Sequence, residues 1–150
     1  MASVKLDNLG IRYGFYTATG LIGYFLFMQL IGLGHILELR VLNLVILLSG
    51  IVVAIEKYKT LTNKNMEYLT GYGIGGTVTI IGVSIFSIFL GFYLHFDKVL
   101  MEHIRSNALM GHYLDSYTAA FAVFGEGIAS GIIASFALMQ WYKKYTHQTE

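Results

Sequence analysis

Few side chains in this 150-residue sequence could do chemistry: it has nine carboxylates, five histidines and no cysteine. The lack of cysteine removes thiolate catalysis, disulfides, and cysteine-ligated zinc or iron–sulfur sites together. His35 and His95 each close a hydrophobic run, and an imidazole pair could ligate haem between helices. The competing expectation is that imidazoles at such ends are simply solvated, as His103, His112 and the tail residue His147 are expected to be. Glu126 is different. It sits in "FAVFGEGIASGII", residues 121–133, where its neighbours are apolar or small. An intramembrane carboxylate is costly and faces a bundle interior, a wet cavity or a partner. In its neutral form it is both donor and acceptor, able to staple helices. As a proton- or cation-coupling group it would normally need other ionisable groups along a path, and none lies at its depth. No histidine shares the depth of the membrane serines and threonines, so nucleophilic catalysis has no motif behind it. "GYGIGG" at 71–76 matches G-x-G-x-x-G but lacks the preceding strand that a dinucleotide site needs.

The elements that must hold these residues are set by composition. The chain is 55% hydrophobic and 13% charged, with a mean hydropathy of +0.61, whereas soluble domains carry roughly 25% charged residues. A membrane protein follows, with the lipid bilayer as its first partner. The net charge of +1 leaves no basic footprint for nucleic acid. "MASVKLDNLG" is too short and polar for a signal peptide, so the first hydrophobic segment is expected to remain. Crossing the hydrocarbon takes roughly 20 apolar residues. Four segments are expected to do so: about 13–34, 39–55, 72–94 and 117–141. The second is short and needs Arg40 and Lys57 to snorkel. Lys5, Arg12, Lys57, Lys59, Lys64, Lys143 and Lys144 fall on one side, and Arg40, Lys98 and Arg105 on the other. This puts both termini in the cytoplasm. Tyr and Trp gather near the span ends as an aromatic belt.

The fold class expected is therefore an all-α four-helix membrane bundle forming one domain. Phe96, Leu100, Ile104 and Ala108 recur every four residues after span three. They predict a short amphipathic helix ending near Gly111, either interfacial or packed as a lid on the helix ends. Spans one and three both open Tyr-Gly followed by T-x-T, which suggests a parallel duplication of a helix hairpin.

Counting down from the outer ends puts Tyr24, Ser49 and Ser84 near the depth of Glu126, as its expected partners. Gln29 is expected to hydrogen-bond across helices. Gly127, Gly131 and Ser135 form one small-residue stripe on span four, and Ala122, Glu126, Ser130 and Ala134 an adjoining one. Gly71, Gly75 and Thr79 form a third on span three. Such stripes let helix backbones approach closely. Two on one helix suggest that one meets another subunit.

The chain resembles the bacterial membrane family catalogued as domain of unknown function 4199. The resemblance rests on the opening of span one ("IRYGFYTATGLIGYFL"), the basic end of span two ("GIVVAIEKYK"), the glycine-rich start of span three ("YLTGYGIGG"), the span-three exit ("LGFYLHFDKVLMEHI") and a last span ending Lys-Lys. It implies a bacterial cytoplasmic membrane and four spans, and brings no activity and no site residues. The functional expectation is a non-enzymatic accessory or scaffold subunit of a larger membrane complex, with no cofactor. A homo-oligomeric transporter or channel using Glu126 is the alternative, and a haem-binding redox subunit the third.

Overall fold

The computed structural model describes residues 2–33, 40–62 and 67–146. Among the described residues the chain is all helical. It runs α1 (Ala2–Leu30), α2 (Arg40–Leu61), α3 (Tyr68–Phe96), α4 (Lys98–Asn107), a 3-10 turn at Gly111–Tyr113, and α5 (Ser116–Thr146). Three stretches are long and apolar enough to cross a membrane: Val41–Leu61, Tyr68–Phe96 and Ser116–Tyr142. α1 is as long as α3, but Tyr, Thr and Gln dilute its apolar character and it does not meet that measure.

The helix ends follow local chemistry. α1 stops at Leu30, four residues short of the expected Gly34. Gly32 adopts φ 73°, its N–H donates to the Gln29 carbonyl at 3.1 Å, and the Leu33 N–H donates to Met28 at 3.0 Å. That pair of bonds around a left-handed glycine is a Schellman stop. α2 runs on to Leu61, beyond the expected Ile55, and the added turns carry Glu56, Lys57 and Lys59, so the uncharged stretch stays at 41–55. Asp97 both ends α3 and caps α4: its N–H donates to Tyr93, and its side chain accepts from the Leu100 N–H at 3.0 Å. Phe96 thus belongs to α3 and is 82% exposed, and Ala108 lies beyond the end of α4. Only the middle of the expected stripe, Leu100 and Ile104, turns inward, joined by Met101.

α3 is the central helix. α1 runs parallel to it, with Gly10 against Thr77 and Gly14 against Ile81. α5 runs antiparallel to it, and α2 packs across α1 and α3. Two clusters fill the bundle. One joins Leu47, Ile51, Ala54, Ile55 and Tyr58 of α2 to Ile74, Val78 and Val83 of α3 and Met139 of α5. The other joins Leu21, Phe86, Leu90 and Leu94 to Ala119 and, from α4, Leu100 and Met101. α4 therefore rests on the bundle end. Arg105 holds it there, donating Nε and Nη2 to the Leu114 carbonyl at 3.1 and 2.9 Å. Ser116 Oγ donates to the Leu94 carbonyl at 3.2 Å, tying the start of α5 to the end of α3.

The T-x-T pairs of α1 and α3 act alike locally. Thr17, Thr19, Thr77 and Thr79 each donate their hydroxyl to the carbonyl four residues back. The matching glycines do not: Gly14 is pressed against Ile81, while a Cβ on Gly73 would meet nothing within 4 Å.

Candidate functional site

The small-residue stripes of α3 and α5 prove to be two halves of one seam. α3 climbs through Gly71, Gly75, Thr79 and Val83 while α5 descends through Met139, Ser135, Gly131 and Gly127, and each residue lies opposite its counterpart. A Cβ on Gly75 would come within 2.9 Å of Ser135 Cβ, one on Gly131 within 2.8 Å of Thr79 Cβ, and one on Gly127 within 2.7 Å of Val83 Cγ1. The two hydroxyls inside the seam are fully buried and satisfied on their own helices: Ser135 Oγ donates to Gly131 at 2.8 Å, and Thr79 Oγ1 to Gly75 at 2.9 Å. Gly127, Gly131 and Ser135 are thus occupied within this chain. Any face for another subunit lies elsewhere on α5.

The adjoining stripe has a graded environment. Ala134 is partly buried against the first cluster, Ser130 is half-buried, and Glu126 and Ala122 are exposed. The exposed end of the stripe borders a gap between α2 and α5. Near the Leu61 end the two helices meet: Tyr142 Oη lies 3.5 Å from Glu56 Oε1, and Lys59 Nζ sits 5.1 Å over the Tyr142 ring. Towards Arg40 they part and leave a cavity of about 330 Å³. Its walls are Leu21 of α1, Val41, Asn43, Leu44 and Leu47 of α2, Val83 and Phe86 of α3, and Val123, Glu126, Gly127 and Ser130 of α5. Glu126 therefore looks into a wedge between α2 and α5 that is also open to the surroundings.

The residues expected near Glu126 fall at different places. Ser49 is exposed on α2 and donates its hydroxyl to Val45 at 2.8 Å, so it belongs to another face. Ser84 follows Val83 and has the right level, but it lies on an α3 stripe between exposed Ile80 and Ile88. On α1 the wall of the wedge is Leu21, about one turn before Tyr24. Tyr24 is half-buried on the same helix. The polar residue that sequence reasoning missed is Asn43, which lines the cavity while its Oδ1 is buried without a hydrogen-bond partner among the described residues. Gln29 does not make the expected cross-helix bond among the described residues: its Nε2 is buried without a partner.

His95 is exposed at the end of α3, edge-on to Phe96 and tilted against Tyr117 at ring distances of 5.7 and 6.2 Å. His35 lies outside the described residues. Among the described residues no three His, Cys, Asp or Glu side chains converge as a metal site would require.

A scan against protein-family models, a search of curated proteins and a search of solved structures each return no match. The resemblance to domain of unknown function 4199 therefore rests on the quoted sequence pattern alone, and the membrane character of the chain on its three long apolar helices.

Proposed function

We propose that this chain is a non-enzymatic accessory or scaffold subunit of a larger complex in a bacterial cytoplasmic membrane. In this reading all four long helices cross, with both termini cytoplasmic and α4 at the outer surface. α1 joins as the fourth span because close glycine packing seats it on α3, and its threonine hydroxyls are satisfied on its own backbone.

The observation that carries the proposal is the exposure of α5. Half of the apolar stretch of α3 is buried within the bundle, against 11% for α5. The seam with α3 uses one edge of α5. Another edge, Phe121, Gly125, Ala129 and Ile133, is exposed, and a Cβ on Gly125 would meet nothing. Between helices in lipid, association comes from close packing rather than from hydrophobicity, so a bare small-residue edge flanked by large apolar side chains suits a partner helix.

The test is extraction into native nanodiscs followed by mass spectrometry of whatever co-migrates. A stoichiometric larger partner is expected with the wild type and lost with Gly125→Ile or Ala129→Ile, the fold being retained. A lone chain or a pure homo-oligomer would overturn the scaffold reading. The exposed position of Glu126 on the wedge favours a coupled transporter as the second reading. That reading requires flux across proteoliposomes that Glu126→Gln abolishes.

A further inference from the structure

We draw no further inference here: the strongest candidate, the surface patch of exposed apolar side chains around α4 at one end of the bundle (Phe96, Val99, Leu109, Met110, Tyr113 and Tyr117), carries none, because nothing in the structure shows what covers it.

Discussion

At the scale of single residues, the glycines divide into two kinds that composition does not distinguish. Gly131 is pressed against Thr79, whereas Gly125, six residues earlier on the same helix, faces open space. A methyl at Gly131 would force Thr79 or the α3 backbone to move. Gly131→Ala is therefore expected to destabilise the bundle by about 1–3 kcal/mol, the usual cost of overpacking. Gly125→Ala meets no obstacle and should be neutral or stabilising by up to about 1 kcal/mol through helix propensity. Reversible unfolding in mixed micelles measures both. Equal effects would mean that the seam between α3 and α5 is not the close approach described. The pair also separates the two faces of α5, because bulk at Gly131 meets Thr79 and bulk at Gly125 meets nothing within the chain. At the same scale, a Schellman stop at Gly32 ends α1 one turn before the expected Gly34, because the sequence does not mark which of its glycines turns left-handed.

At the scale of elements, α4 shows how a short helix of ten residues is made to stay. It has one capping carboxylate, two buried apolar side chains and a bidentate arginine clamp. Such a helix is too short to persist alone in water. Its anchor depends on Gly111, where a Cβ would lie within 2.7 Å of the Arg105 carbonyl carbon. Gly111→Ala is expected to push the turn off α4 and release Arg105 from Leu114. Amide exchange across 98–107 should then speed up about tenfold, a loss of roughly 1.4 kcal/mol of local protection, while α3 and α5 exchange as before. Unchanged exchange in α4 would mean that the clamp does not hold it. The amphipathic pattern from Phe96 to Ala108 was readable, but its two ends were not. Asp97 cuts the periodic run by closing one helix and opening the next, a local capping event that a four-residue spacing does not register.

At the scale of the whole molecule, the membrane topology is open to a direct test because the chain has no cysteine. Asn8→Cys, Thr60→Cys and Met110→Cys place single thiols at exposed positions beside α1, α2 and α4. With four spans, a membrane-impermeant maleimide should reach Met110→Cys from the outside and reach the other two only after permeabilisation. Asn8→Cys labelled together with Met110→Cys would mean that α1 does not cross, leaving three crossings. The assembly of the bundle follows from α3, which touches every other long helix. α1 runs parallel to it and α5 antiparallel, and α2 packs against all three.

The sequence alone determined the class of molecule, since long apolar runs with few charges can be satisfied only as helices whose backbone bonds are internal. It also showed which positions were small enough for close approach, because helical spacing of Gly, Ala, Ser and Thr is a local property. Only the tertiary structure decided what those positions approach. Gly71, Gly75 and Thr79 meet Met139, Ser135 and Gly131 because α3 and α5 are antiparallel at one particular register. Glu126 borders a cavity walled by α1, α2 and α3, a relation between helices far apart in the chain that no local spacing encodes.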